Sequence, residues 1–376
     1  MGILLLSWIF VRYLTNYTHP PIKLYYRIVV KLVEVGISDD SPAFVVAEIS
    51  ANHLGKKESC MELIDIAAAG GANAVKFQTY RADTITLSSE MEDFAIQPDS
   101  PWAAYGNLFN LYSEASTPWE WHFDLFRYAK SKNLIAFSSA FDESAVDFLD
   151  SLACPLHKLA SPEINHIPLI AKMAQSGKPI LMSLGVASKR DLELALQTIK
   201  DNGNPEVVIM QCDTNYPADI SNSNILQIPR IKQEYECITG YSDHTTSSLT
   251  AIVAAGLGAK VFEKHLTQES SKGAIDAFFS ATETAFREYV TDLRLAEAAL
   301  GKERFRSPDN ESANRSKRSI YPKKDIRKDS IFTSDNVGVF RPGLSLAPEK
   351  LDWILGKSAA RDIRAGERLS EIDVIE

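Results

Sequence analysis

The sequence predicts a (β/α)8 barrel followed by a small, mostly β domain. Three observations predict it. Short apolar or β-branched runs alternate with stretches of helical periodicity from residue 43 to 301. Eight such units fill a length typical of one barrel. After 301 the rhythm stops, and a polar stretch leads into a short segment of mixed, strand-like pattern. A doubly wound open sheet is the competing architecture.

The expected strands are 43–49, 74–78, 134–138, 156–160, 179–182, 206–211, 237–241 and 260–264. Between them, "SCMELIDIAAAG", "KRDLELALQTIKDNG" and "ATETAFREYVTDLRLAEAAL" carry the spacing of amphipathic helices. Gly70, Gly177, Gly203 and Gly256 follow such helices, where a left-handed cap is wanted. The last segment holds a weak repeat. "KDIRKDSIFTSDNV" (324–337) returns as "RDIRAGERLSEIDV" (361–374), an offset of 37 that suggests a pseudo-symmetric unit. The first copy has Asp329 where the second has Gly366, a turn position that Asp tolerates better than most residues.

Composition narrows the function classes. A net charge of −9 argues against a nucleic-acid partner, and the basic residues of 302–328 are interleaved with acids as in a solvated linker. Cys60, Cys154, Cys212 and Cys237 show no C-x-x-C spacing, which suits a reducing cytoplasm. The N-terminal "MGILLLSWIFVRYL" is too short an apolar run to span a bilayer and has no basic region before it, so no stable membrane partner is expected. Residues 1–36 read as an ordinary extension of unknown role or an upstream-start artefact. Their deletion is expected to leave solubility and turnover nearly unchanged.

A barrel gathers its chemistry where strands end. Here nearly every expected strand closes on polar residues: Glu48, Lys76 with Gln78, Ser138 with Ser139, Lys158 with Ser161, Ser183, Asp213 with Thr214, Ser242 with Asp243 and His244, and Glu263 with His265. Such a cluster is hard to explain as solvation, because polar burial is costly. Two lysines among several hydroxyls suit an anion bearing phosphate and carboxylate. A lone histidine is more often structural. Two from neighbouring strand ends suit a divalent metal with open positions.

These residues carry a resemblance. "FVVAEISANHLG", "NAVKFQTY", "FSSAFDESAVDFL", "HKLASPEI", "CDTNYP", "GYSDHT" and "FEKHLT" are similar to the successive motifs of the sialic acid synthase family. "STPWEWHFDLF" and "DAFFS" resemble its pseudaminic acid synthase branch. The tail, with "FRPG", resembles the SAF (antifreeze-like, β-clip) domain that ends these enzymes. The resemblance covers roughly 43–376 and implies a TIM-barrel synthase domain over 37–301, a linker over 302–318 and a SAF domain over 319–376.

It also implies an activity. Phosphoenolpyruvate would condense with an acetamido-deoxyhexose, 2,4-diacetamido-2,4,6-trideoxy-L-altrose in the pseudaminic branch, giving a nine-carbon 2-keto acid and phosphate. By position, Lys76, Ser139, Lys158, Ser161, Ser183 and Ser242 match phosphoenolpyruvate-binding residues. His244 and His265 match ligands of a divalent metal ion (Mn2+, Mg2+ or Co2+). Glu48, Gln78 and Glu263 match catalytic or sugar-facing positions, with Tyr216 and Asp276 near the sugar. Arg341 matches an arginine that reaches the partner's site in a homodimer with exchanged tails. An N-acetylneuraminic or legionaminic acid synthase would use the same site on another sugar, and an inactive carbohydrate-binding relative is the rival of another class. Leu54, Leu184 and the "KGAID" loop depart from the family pattern. His53 is open between facing substrate and orienting a loop. Trp119 and Trp121 are expected to pack rather than stack on sugar, and Cys212 to fill space rather than act as a nucleophile.

Overall fold

The computed structural model describes residues 30–203, 206–271, 273–301 and 311–375. Most of the 1–36 extension, Lys272 in the "KGAID" loop and the 302–310 part of the linker lie outside the described residues. The chain forms two compact units that divide between Gly301 and Lys302.

The first unit is a closed barrel of eight parallel strands in sequential order. They are β1 (Phe44–Glu48), β2 (Ala74–Thr79), β3 (Ile135–Ala140), β4 (His157–Leu159), β5 (Ile180–Ser183), β6 (Val207–Cys212), β7 (Ile238–Asp243) and β8 (Val261–His265). Closure comes from β1 pairing with β8, with Glu48 opposite His265. The strands are buried on both faces, as parallel strands under a helical shell must be.

The helices form for local reasons. Lys189–Asp201 starts with a reciprocal capping box in which Ser188 and Asp191 satisfy each other's backbone N–H groups. Its buried face is Leu192, Ala195, Leu196 and Ile199, the i, i+3, i+4, i+7 spacing of a helix against a core. Two expected left-handed glycines are displaced. Gly70 has φ −76° and Gly71 takes the left-handed turn, and Gly256 is the last helical residue of Leu249–Gly256 while Gly258 has φ +96°. Gly177 and Gly203 lie at φ +67° and +79° as expected.

The sequence just before the barrel has more structure than its motif-poor pattern suggests. A short helix, Val30–Glu34, sets Leu32 in the barrel's apolar core, where it is fully buried with Ile37, Phe44 and Val207. The Leu32 N–H donates to Glu206 Oε2 at 2.8 Å. The expectation that 1–36 can be removed without loss meets a counter-observation in residues 30–36. One apolar residue with a paired backbone group ties this segment to the barrel.

The second unit has its own small core, including Ile320, Ile326, Phe332, Val337, Ile354, Ile363 and Leu369. Its strands are short: β9 (Ser319–Pro322) pairs with β10 (Val337–Phe340), and β11 (Ser358–Ala359) with β12 (Val374–Ile375). The 37-residue repeat is visible as a local two-fold. Ile326 and Ile363 exchange both backbone bonds at 2.8 Å. Asp329 N–H donates to the Ala359 carbonyl at 2.8 Å, and its counterpart Gly366 donates to Pro322 at 2.9 Å. Lys328 N–H donates to Asp362 Oδ1 at 2.7 Å, mirrored by Ala365 to Asp325 Oδ1 at 2.8 Å. Asp329 and Gly366 both adopt left-handed backbone, at φ +65° and +75°.

Candidate active site

Alternation along the strands decides which side chains meet. Residues i and i+2 share a face, so four elements each deliver an inward pair: Glu48 and Ser50, Lys76 and Gln78, Ser242 and His244, Glu263 and His265. Residues of the opposite parity face the helical shell. Asp243 meets Lys264 there at 3.4 Å, and Ser138 meets Thr79 at 2.6 Å. These strand-end polar residues thus stand outside the cluster.

At the centre is Lys76. Its Nζ lies 3.0 Å from Glu48 Oε2, 3.1 Å from Glu263 Oε1 and 3.3 Å from Ser139 Oγ. Burial opposes its charge, but Glu263 and Glu48 together outweigh that, so the ammonium is held above the ordinary lysine range. The two carboxylates diverge around this shared cation. Burial pushes Glu48 up to about 7 against the pull of Lys76. Burial also raises Glu263, yet Lys76 and Lys158 hold it down at about 2. A carboxyl that can carry a proton therefore faces one that stays ionised.

Lys158 Nζ donates to Ser183 Oγ at 2.8 Å and to the Leu159 carbonyl at 3.1 Å, and burial lowers its pKa. No carboxylate is within ion-pair reach of it among the described residues. Ser242 Oγ donates to Glu263 Oε1 at 3.1 Å, and Ser161 Oγ accepts the Val186 N–H at 2.8 Å. The turn after β5 needs its glycine. A Cβ on Gly185 would sit 2.6 Å from Thr214 Cγ2 and 3.2 Å from Ser161 Oγ. Two lysines and four hydroxyls thus line one side of the barrel mouth.

His244 and His265 stand on the other side with ring centroids 5.3 Å apart. His244 Nδ1 faces the carbonyl of Asp213, an acceptor only, so it carries the proton and Nε2 presents the lone pair. His265 Nδ1 is buried with no hydrogen-bond partner among the described residues. Burial holds both imidazoles below their usual range, His244 at about 4, which keeps them in the neutral form a metal needs. No third His, Cys, Asp or Glu completes a metal cluster among the described residues. The pair fits a divalent ion whose other positions belong to substrate or water.

An aromatic wall flanks the imidazoles. Tyr216 lies 4.4 Å from His244 and 4.7 Å from Phe279, and Trp102 is 6.1 Å from Tyr216. The sequence marked Tyr216 and carried Phe279 inside the "DAFFS" motif without a role, but gave no sign of Trp102, which a long loop brings in. Asp276 is held by Ser50 Oγ and by the Ala51 N–H at 3.2 Å. Gln78 Nε2 bonds Glu48 Oε1 at 3.0 Å. Arg341 belongs to the second unit, where it is exposed and its Nε donates to the Ser316 carbonyl at 2.8 Å.

The ambiguous residues resolve on geometry. His53 accepts the Gly55 N–H at Nδ1 and faces the Ala115 carbonyl through Nε2 at 3.3 Å, so it ties the turn after β1 to the end of the helix Leu108–Ala115. Trp119 stacks on Phe148 at 4.6 Å, and Trp121 packs edge-on to His53. Burial pushes the Cys212 thiol up to about 12, which leaves it inert. Leu54, a departure from the family pattern, is exposed at φ +52°, where a short polar residue fits better.

The comparisons with known proteins agree with this geometry. The NeuB family model matches residues 63–305, and the SAF domain model matches 317–375. A pseudaminic acid synthase from Campylobacter jejuni is 36% identical over 335 residues, covering 89% of this chain and 97% of that protein. An N,N'-diacetyllegionaminic acid synthase from Legionella pneumophila is 30% identical, covering 87% and 93%. The crystal structure of the spore coat polysaccharide biosynthesis protein SpsE from Bacillus subtilis is 32% identical with a TM-score of 0.59, covering 90% of this chain and 96% of that one. With its closed barrel, its cluster of strand-end lysines and carboxylates and its C-terminal SAF domain, the chain belongs to the NeuB family and is a phosphoenolpyruvate-dependent nonulosonic acid synthase.

Proposed function

We propose that the chain is a pseudaminic acid synthase, joining phosphoenolpyruvate to 2,4-diacetamido-2,4,6-trideoxy-L-altrose. The observation that carries this choice of sugar is the 36% identity to pseudaminic acid synthases of Campylobacter jejuni and Helicobacter pylori, against 30% to a legionaminic acid synthase.

The residues divide the work by charge. Lys76 and Lys158 neutralise the phosphate and carboxylate of phosphoenolpyruvate, while Ser139, Ser161, Ser183 and Ser242 supply directed bonds. Gln78, Tyr216 and Asp276 face the sugar. A divalent ion held by His244 and His265 would supply Lewis acidity to the sugar aldehyde. Carbon C3 of phosphoenolpyruvate attacks the aldehyde carbon, water adds at C2, and phosphate leaves with the bridging oxygen. Glu48 is placed to hold or pass the proton this requires, and ionised Glu263 keeps Lys76 charged. Fixed charge aimed at charge that moves is the main catalytic device.

The tail's role is part of the same proposal. In an isologous dimer each SAF domain would lend Arg341 to the partner's site, where its planar guanidinium suits an acetamido oxygen. Among the described residues no helix is long and apolar enough to cross a membrane.

The test is a panel of acetamido sugars with phosphoenolpyruvate, read by phosphate release and product mass. Turnover with the altrose derivative well above the mannose and legionaminic precursors is expected. Preference for either competitor overturns the choice of sugar, and absence of phosphate release with all of them overturns the activity.

A further inference from the structure

Ser50 lies just past the end of β1 and is buried, yet no catalytic role falls to it above. Its backbone is left-handed at φ +50°, a conformation uncommon for a residue that is neither glycine nor asparagine. The hydroxyl sits between two groups of the site. Gln78 Nε2 approaches Ser50 Oγ at 3.1 Å and Glu48 Oε1 at 3.0 Å, so both amide hydrogens are used. Ser50 Oγ therefore accepts from Gln78, and its own proton goes to Asp276 Oδ2. The chain has one direction, from Gln78 through Ser50 to Asp276. The Ala51 N–H adds a second bond to the same Oδ2 at 3.2 Å, while Oδ1 has no partner among the described residues.

Neighbouring contacts point the same way. Asn52 Nδ2 donates to the Leu266 carbonyl at 2.9 Å and to Ser280 Oγ at 2.8 Å, and Ser280 Oγ donates to the Asp276 carbonyl at 2.6 Å. The turn after β1 thus holds the loop after β8 at three places. Only one of them, Ser50, also reaches the Glu48 and Lys76 cluster.

We propose that Ser50 is a positioning residue for sugar recognition. It saturates one oxygen of Asp276 and thereby presents Oδ1 as the acceptor for a sugar hydroxyl, in register with Glu48. This rests on the synthase reading above. Ser50 touches no reacting atom and acts through the groups it bonds, Asp276 first and Gln78 second.

The test uses full-length protein carrying Ser50→Gly or Ser50→Ala. Glycine removes the hydroxyl while relieving the left-handed backbone, so loss of folding is not a concern for that variant. Both should raise KM for the sugar by about tenfold, the effect of removing a hydrogen bond to a charged group. KM for phosphoenolpyruvate should move less than about twofold, since that substrate lies with the lysines. In an Asp276→Asn background, Ser50→Gly should add little. An unchanged sugar KM in Ser50→Gly, or equal changes for both substrates, overturns the proposal.

A readout independent of turnover separates this claim from the function. The Asp276 carboxyl, followed by carbon-13 NMR and assigned with Asp276→Asn, should titrate higher in Ser50→Gly, because a bond to the charged form is lost. Tyr80, Tyr105 and Tyr216 feel its charge from neighbouring elements, and burial raises all three phenols out of the range scanned. Glu48 is linked to it through Gln78 and titrates as a separate resonance. Equal midpoints in the two proteins sink the assignment even if no sugar is turned over.

Discussion

The barrel mouth and the SAF unit solve opposite problems with the same backbone rules. In the SAF unit the polar groups are satisfied: Asp325 and Asp362 each cap a backbone N–H across the local two-fold, and Asp373 accepts from Ser370 and Arg361. Every buried side-chain polar atom left without a hydrogen bond among the described residues lies in the barrel unit, including Glu263 Oε2 and His265 Nδ1 at the mouth. Orphaned polar atoms cost stability; those at the mouth stand beside Lys76 and His244, and others, such as Thr117 Oγ1, Asp142 Oδ2 and Ser223 Oγ, lie elsewhere in the barrel unit.

The comparison can be broken first at the imidazoles, where the largest effect is expected. His244→Ala or His265→Ala should each lower turnover by more than about 100-fold, beyond the effect of losing a metal ligand's outer partner. The double variant should be little worse than either, as for groups acting as a unit. Calorimetric titration with Mn2+ should show binding to the wild type and none to either variant. Independent, additive losses would mean that the two rings do not share one ion.

A smaller effect is expected at the opposite end of the barrel. Removing residues 1–36 deletes Leu32 and leaves Glu206 without the N–H it accepts. Leu32→Ala keeps that N–H and removes only the buried side chain, and should cost about 2–5 kcal/mol, the range for emptying a buried leucine site. Urea unfolding measures it. An unchanged midpoint in both proteins would restore the view of this segment as a passive extension.

Acid unfolding probes a structural carboxylate on the helix Glu143–Ser151 outside the barrel. Burial raises Asp150, but hydrogen bonds from His157 at 3.1 Å and Lys178 outweigh it and hold the group at about 2. A folded pKa below the unfolded value of about 4 stabilises the protein above pH 4, and that contribution is lost as pH falls through 2. Asp150→Asn should therefore be less stable than the wild type at pH 6 and nearly equal to it by pH 2. A gap that persists at low pH would show that the side chain acts by packing.

The smallest effect belongs to the SAF unit. If its two halves are equivalent, Asp325→Ala and Asp362→Ala should each cost about 1–2 kcal/mol, as a lost backbone cap does, and agree within about 0.5 kcal/mol. A large asymmetry would mean that one half meets something the isolated unit does not contain.

Strand positions were legible because β-branched runs and barrel burial enforce each other, and the observed strands begin and end within about two residues of the expected ones. The site's charged residues were legible because charge at a buried strand end needs a reason. Gly70 and Gly256 were misassigned because glycine inside or at the edge of a helix looks like a cap until the next turn is seen. Leu32 was missed since one buried side chain makes no pattern. Ser50 was missed although the alternation that pairs Lys76 with Gln78 also pairs it with Glu48. A serine beside a motif glutamate reads as a turn, and only its left-handed backbone and its bond to Asp276 set it apart.

The central claim is that this mouth joins carbon C3 of phosphoenolpyruvate to a sugar aldehyde and breaks the C–O bond at C2. Phosphoenolpyruvate carrying 18O at the bridging position measures it directly. With the sugar the enzyme turns over, mass spectrometry should find the label in the released phosphate. Label retained in the nine-carbon acid would mean P–O cleavage and would contradict the account.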